Sequence, residues 1–249
     1  MISILIATRN RSDKIPLCLN SILKNSYKDF EIILVDQSDD DKTRNLINKL
    51  NNPQIRYFKM NEKGKSKALN LALKKARGDI FAFTDDDCIV DRNWLRNIKK
   101  SFEENKDIVG VFGQVLPYQP ERYKNEWCPA TFENEKDVVI DTFNIIHYEN
   151  LGNGNNMSFK RLVFNKVGNF KEWLGVGSIT RAGEDTDLIY RILKNGYKLA
   201  FNSKIIVYHN RWEKSHFISY EAKLLEEKYN CGLSSFCAFH FLKKEKISF

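Results

Sequence analysis

The sequence predicts an α/β fold with a mostly parallel central sheet, and three observations carry that prediction. Short apolar runs with almost no charge alternate with amphipathic runs of helical spacing through the first half. Polar and acidic clusters directly follow the apolar runs, where open α/β sheets bind ligands. The 249 residues are 42% hydrophobic and 29% charged, which supports a sizeable core and excludes a mostly disordered chain.

Each element has its own signal. Ile2 to Ala7 reads as a buried strand. Asp13 to Leu23 reads as a helix, with Leu17, Leu19, Ile22 and Leu23 on its apolar side and Pro16 in its first turn. Phe30 to Val35 is a second strand and runs into Asp36-Gln37-Ser38-Asp39-Asp40. Thr43 to Leu50 is helical, and Ile55 to Lys59 is a short strand. Gly64-Lys65-Ser66-Lys67 leads into a helix over Ala68 to Ala76, rich in Ala and Leu. After Gly78, Ile80 to Thr84 is a further buried strand that opens into Asp85-Asp86-Asp87. Trp94 to Asn105 completes the regular half as a helix.

The second half is less regular. Val109 to Leu116 reads as a strand, and Pro117 to Val138 as loop-rich. Gly152 to Asn156 is a tight polar stretch, and Leu162 to Val167 a short helix. Glu184 to Asn195 reads as a helix ended by Gly196, Lys204 to His209 as a strand and Phe217 to Tyr229 as a helix. The expected organisation is residues 1–110 and 111–249, two halves of one body.

Charge and cysteine content narrow the setting. Forty Lys and Arg against 32 Asp and Glu give a formal +8, which suits an anionic partner. The basic residues are dispersed rather than gathered in a groove, so no nucleic acid is expected. Cys18, Cys88, Cys128, Cys231 and Cys237 lack zinc-site spacing and read as reduced thiols of a cytoplasmic protein. No stretch approaches the roughly 20 apolar residues of a membrane span. The basic tail, with Phe217, Phe236, Phe239, Phe241 and Phe249, suggests either a peripheral contact with the inner face of a membrane or completion of the core.

Four groups carry chemistry. Asp85 and Asp87, two apart on an extended chain, share a face and suit Mg²⁺ or Mn²⁺; the alternative is a solvated acidic turn. Lys63, Lys65 and Lys67 around Gly64 suit a diphosphate at a helix N-terminus, or form a solvated basic loop. Glu184-Asp185 either starts a helix or supplies a general base. His209 either completes a metal shell or is structural. No GxxxxGK[ST] or GxGxxG pattern is present, so neither a P-loop nor a dinucleotide fold is expected.

Six blocks in order resemble the family 2 glycosyltransferases: Ser3 to Arg11, Ile33 to Ser38, Gly64 to Asn70 with Ala76 to Ile80, Phe83 to Cys88, Asn155 to Arg161, and Gly183 to Leu188 with Arg191 and Gly196. The resemblance implies a GT-A fold, with a Rossmann-like nucleotide-binding half fused to an acceptor-binding half. It implies inverting transfer from a nucleotide-sugar, by the family pattern a UDP-sugar, to a glycan, lipid-linked or protein acceptor. Thr8, Asn10 and Asp36 would then lie at the nucleoside, with Asp36 on a uracil edge. Lys65 would lie at the diphosphate, Asp85 and Asp86 among the residues that bind the nucleotide-sugar, and Asp87, Asp85 and His209 at a Mn²⁺ or Mg²⁺ ion. Asp185 would be the base and Glu184 would shape the acceptor site, with Trp173 and Leu174 as its floor or as ordinary packing. Many members carry Arg where this chain has Leu69, and the QxxRW block of processive members is absent. A nucleotidyltransferase making a nucleotide-sugar and a non-catalytic carbohydrate-binding scaffold are the competing readings.

Overall fold

The computed structural model describes residues 1–123, 126–141, 151–214, 227, 230–232, 234–240 and 242. Among them lies a nine-stranded sheet in the order β3-β2-β1-β4-β9-β6-β10-β5, with β8 also paired to β10. Strands β1 (Ile2–Thr8), β2 (Phe30–Asp36), β3 (Ile55–Lys59) and β4 (Ile80–Phe83) run parallel. β9 (Met157–Lys160) enters antiparallel between β4 and β6 (Ile108–Pro117). β10 (Lys198–His209) returns parallel to β6, and β5 (Cys88–Val90) and β8 (Val138–Ile140) pair antiparallel with it. A separate two-stranded ribbon joins β7 (Glu126–Trp127) to β11 (Glu213–Lys214).

Alternate residues of each strand feed opposite faces, as period-two geometry requires. Ile4 and Ile6 pack toward α1 (Ile15–Leu23) and α4 (Trp94–Glu104), where Trp94 is wholly buried. Leu5, Ile33 and Val35 pack on the other face toward α3 (Lys65–Lys75), α5 (Leu162–Val167) and α6 (Glu184–Lys194). The remaining helix of the first half, α2 (Lys42–Leu50), ends in left-handed Asn51. Phe83, Phe159, Phe164 and Phe170 form a tilted and edge-on aromatic cluster under the second face.

Several elements differ from the sequence expectation. α3 begins at Lys65, three residues before the predicted Ala68, because Gly64 (φ 127°) turns the chain and the Lys65 N–H is taken up by the Val176 carbonyl. β10 begins at Lys198 rather than Lys204, with a register shift between Asn202 and Ile206 that hid its alternation. The loop-rich reading of Pro117 to Val138 largely holds, with a single 3₁₀ turn at Pro120–Arg122 and the short β7. The boundary at residue 110 falls inside β6, so both halves share one continuous sheet. The helix expected over Phe217 to Tyr229 lies almost entirely outside the described residues. The described positions from 230 to 242 are helical.

Candidate active site

The site is assembled at the carboxyl ends of β1, β2 and β4. Thr8 ends β1, and its hydroxyl donates to Asp86 Oδ2 at 2.6 Å, joining the first strand to the acidic run after β4. The Thr8 carbonyl accepts the Gln37 N–H, which ties β1 to the end of β2. Asn10 sits at positive φ, where its amide exchanges hydrogen bonds with Asp39 at 2.9 Å each way. Its own N–H donates to Ser38 Oγ. Gln37 donates to the Glu62 and Gly64 carbonyls and so holds the approach to α3.

Asp36 is fully buried and both oxygens are engaged. Oδ1 accepts the Ser38 N–H, while Oδ2 accepts the Tyr57 hydroxyl at 2.7 Å and faces Lys59 Nζ at 3.6 Å. Burial, then the Asp36 hydrogen bond, pushes the Tyr57 hydroxyl well above its ordinary range, so it stays a donor.

The acidic run does not stay extended. Cys88 N–H closes a turn onto the Asp85 carbonyl, and the three carboxylates meet the cations Lys65 and Arg11. The expected extended backbone through Asp85 and Asp87 is replaced by this turn, while Lys65 acts on both carboxylates. Asp85 meets Lys65 Nζ at 2.6 Å. Asp86 and Asp87 meet one guanidinium nitrogen of Arg11, at 2.8 and 2.7 Å. Asp87 also faces His209 Nε2 at 3.4 Å.

These pairings set the charges. Burial pushes the Asp86 carboxyl up to about 6, even against the pull of Arg11. Burial works the same way on Asp87, but His209, Arg11 and Lys65 hold its carboxyl far below the usual range. Burial opposes the charged imidazole of His209, yet its hydrogen bonds to Asp87 and Cys128 push it up to about 10. His209 Nδ1 lies 2.7 Å from the Pro129 carbonyl, which can only accept, so Nδ1 carries a proton and Nε2 is the atom turned to Asp87.

Asp87, Cys88 and His209 bring one ligand atom each within 4.8 Å of one another, a grouping that omits Asp85. A carboxylate oxygen and an imidazole nitrogen at a strand end fit Mn²⁺ or Mg²⁺ in donor type. The Cys88 thiol is buried and pushed up by that burial, so it stays protonated beside them.

The second acidic pair reaches the same place through Lys65. Ser66 Oγ donates to the Leu174 carbonyl at 2.7 Å, and Lys65 N–H to that of Val176, which holds the 173–183 loop against the start of α3. Glu184 and Asp185 then open α6 behind Gly183 (φ 97°). Burial disfavours the Lys65 ammonium, but Asp85, Glu184 and Asp185 hold it well above the ordinary lysine range. Burial, followed by Asp185, pushes Glu184 up to about 7. Asp185 is half-buried and lies against Gly154, where an added Cβ would stand 2.9 Å from its Oδ2. Leu174 is 1% exposed and packs inward, whereas Trp173 is half-buried.

The family 2 glycosyl transferase profile matches residues 3–172, well over half of the chain. The chain belongs to glycosyl transferase family 2. Its fold is that of the GT-A members of the family. It is 42% identical over 88 residues to the Escherichia coli UDP-Glc:alpha-D-GlcNAc-diphosphoundecaprenol beta-1,3-glucosyltransferase WfaP, covering 35% of this chain and 35% of that one. It is 25% identical over 221 residues to the Haloferax volcanii glucosyl-dolichyl phosphate glucuronosyltransferase, covering 85% and 70%. The structure of Staphylococcus aureus TarS 1-349 in complex with UDP-GlcNAc superposes with a TM-score of 0.68 at 20% identity, covering 88% of this chain and 60% of that one. The Pyrobaculum calidifontis mannosyltransferase PcManGT, in complex with GDP-Man and Mn²⁺, superposes at 0.61 and 20% identity, covering 84% and 56%. The chain thus spans only 35% of WfaP, the first relative.

Family membership also separates predicted from unpredicted residues. Thr8, Asp36 and His209 end strands, Lys65, Glu184 and Asp185 open helices, and Asn10, Asp85, Asp86 and Asp87 stand in the turns that follow β1 and β4. Sequence reasoning missed Arg11 as the shared partner of Asp86 and Asp87, although it closes the opening block that begins at Ser3. It also missed Asn156, whose buried amide joins Trp94, Gln114 and Ile205 beneath the site. All five cysteines are free, as expected.

Proposed function

We propose that this member of the family is an inverting glycosyltransferase that moves a sugar from a UDP-sugar to an acceptor hydroxyl by a single displacement. The observation that carries the reading is the position of Lys65, which pairs with Asp85 at 2.6 Å and whose charge is also favoured by Glu184 and Asp185. A cation between a strand-end acidic run and a second acidic pair suits a reaction in which a diphosphate leaves as a proton is removed nearby.

The nucleoside lies over the ends of β1 and β2, beside Thr8, Asn10 and Asp36. A uracil N–H that donates to Asp36 takes the place of Tyr57 or Lys59 on that carboxylate. Lys65 faces the diphosphate and counters the charge that grows as the glycosidic bond breaks. Asp87 and His209, with Asp85 if freed from Lys65, would hold Mn²⁺ or Mg²⁺, which would supply Lewis-acid charge to the leaving diphosphate. Asp185 takes the proton of the acceptor hydroxyl on the opposite face of the sugar, and the attacking oxygen inverts the anomeric carbon. Glu184, held near neutrality, shapes the acceptor side.

The acceptor is proposed to be a glycan or a lipid-linked sugar. The printed names of WfaP and the Haloferax enzyme, with their lipid-diphosphate and lipid-phosphate acceptors, favour the second. Such an acceptor sets the work at the cytoplasmic face of a membrane. No helix among the described residues is long and apolar enough to cross one.

The test is release of nucleoside diphosphate from UDP-glucose, UDP-GlcNAc and GDP-mannose, with Mn²⁺, with Mg²⁺ and with EDTA. Metal-dependent release from a UDP-sugar, abolished by Asp87→Ala, is the expected result. No release together with no nucleotide binding by calorimetry would sink the enzyme reading.

A further inference from the structure

The tail helix, described between residues 230 and 242, lies on the acidic start of α6 rather than standing away from it. Phe236 is 1% exposed and meets Tyr190 of α6 edge-on at 5.3 Å. Phe239 stacks tilted on Trp173 at 5.0 Å. His240 sits 4.4 Å from the Tyr190 ring and is itself buried. Its Nε2 lies 3.0 Å from Asp187 Oδ1. The other oxygen of Asp187 takes the Arg191 guanidinium at 2.6 and 2.8 Å, and Arg191 in turn reaches the carbonyls of Gly168 and Asn169 after α5.

A second contact lies on the other side of the acidic pair. Gly232 runs so close to Ala182 that a Cβ there would stand 2.6 Å from the Ala182 carbonyl carbon. A Cβ on Gly183 would in turn stand 3.1 Å from the Gly232 carbonyl. The tail therefore touches the chain immediately before Glu184 and again at Asp187. Asp185 lies between the two contacts.

Packing alone does not explain a buried imidazole–carboxylate pair at one of them. An apolar residue of similar volume would fill the space at no desolvation cost, and buried ion pairs add little net stability. Such a pair does fix one rotational setting of the helix that carries it. Turning α6 by about 20° would sweep a carboxylate standing roughly 5 Å from its axis through about 2 Å. Misplacement of a reacting group by about 1 Å is enough to cost about 100-fold in rate.

We propose that His240 is a positioning residue for the transfer reaction: through Asp187, and together with Gly232, it sets the rotation of α6 and hence the place of Asp185. The proposal rests on the reading of Asp185 as the base. It assigns the tail to the active site.

The test compares His240→Phe, His240→Gln and Gly232→Ala in the full chain. Phe keeps the ring contacts and removes the donor; Gln returns a donor near the position of Nε2. Hydrogen exchange is read over 183–190, and UDP release from UDP-glucose with Mn²⁺ is read as kcat and KM. Expected for His240→Phe are faster exchange over 183–190 with β1 unchanged, and a kcat about 10- to 100-fold lower at unchanged KM. His240→Gln restores both, and Gly232→Ala repeats the loss from the other contact. Wild-type exchange and kcat in His240→Phe overturn the proposal, as does a Gln variant no better than Phe. If His240→Phe does not fold, Gly232→Ala decides by the same two readings. Asp185→Asn runs alongside: activity surviving there overturns the base assignment, while the exchange data still report on the tail contact by themselves.

Discussion

The ammonium of Lys65 lies 2.6 Å from Asp85 Oδ1, a contact that joins the first turn of α3 to the acidic run after β4. Lys65 is only 21% exposed, so water screens this pair weakly. Lys65→Met should lower kcat for UDP release by about 100- to 1,000-fold, the loss typical of one preorganised electrostatic group. Steady-state release from UDP-glucose checks it; a loss confined to KM would show that Lys65 only binds the donor.

Arg11 holds Asp86 and Asp87 together in the position that a divalent cation would share. Arg11→Met should therefore tighten Mn²⁺ binding about ten-fold by calorimetry without nucleotide, since the cation no longer competes with a guanidinium. The same variant should melt lower than the parent in EDTA, because two buried carboxylates then repel. Unchanged or weaker Mn²⁺ binding would remove Arg11 from the metal argument.

Glu184 supplies a pH signature. Burial raises its folded value to about 7, above the ordinary 4.5 it has in the unfolded chain. Its stabilising share is complete below 4.5 and is lost as pH rises through 7. Glu184→Gln should flatten the fall in melting temperature between those limits and melt higher than the parent at pH 8. Parallel melting curves across that range would contradict the assignment.

Phe236 separates core from membrane contact for the tail. Its burial against Tyr190 predicts that Phe236→Ala costs about 3–5 kcal/mol by urea unfolding. Sedimentation with anionic vesicles should be unaffected by the same change. A stable variant with lost vesicle binding would mean that Phe236 leaves the core at a membrane surface. Phe217, Phe241 and Phe249 lie outside the described residues.

Much of the first half was legible because its signals are local. β1 to β4 are apolar runs between polar clusters; in the second half α5 also lies where the Leu162 to Val167 spacing put it. The short β5 and β8 carry too few residues to show alternation. β9 was hidden inside an Asn- and Gly-rich neighbourhood, and its pairing with β4 and β6 is a long-range fact. The site shows the same division. The residue types at strand ends were readable, while the partners were not. Thr8 meets Asp86 across 78 positions, and His240 meets Asp187 across 53. No local pattern encodes those distances, and the cations that meet Asp85 and Asp87 come from elsewhere in the chain.

The place of β9 bears on how the chain is made. Ile80 pairs with Lys160, and Phe83 with Met157, so the middle of the sheet is closed by a strand synthesised long after β4. Until β9 emerges from the ribosome, Ile-Phe-Ala-Phe of β4 is an unpaired apolar edge, the kind that templates aggregation. A fragment ending near residue 110 would keep that edge permanently. Residues 1–110 should therefore precipitate when expressed alone, and a cut after Lys160 would only move the open edge to β6, whose partner β10 then lies on the other fragment.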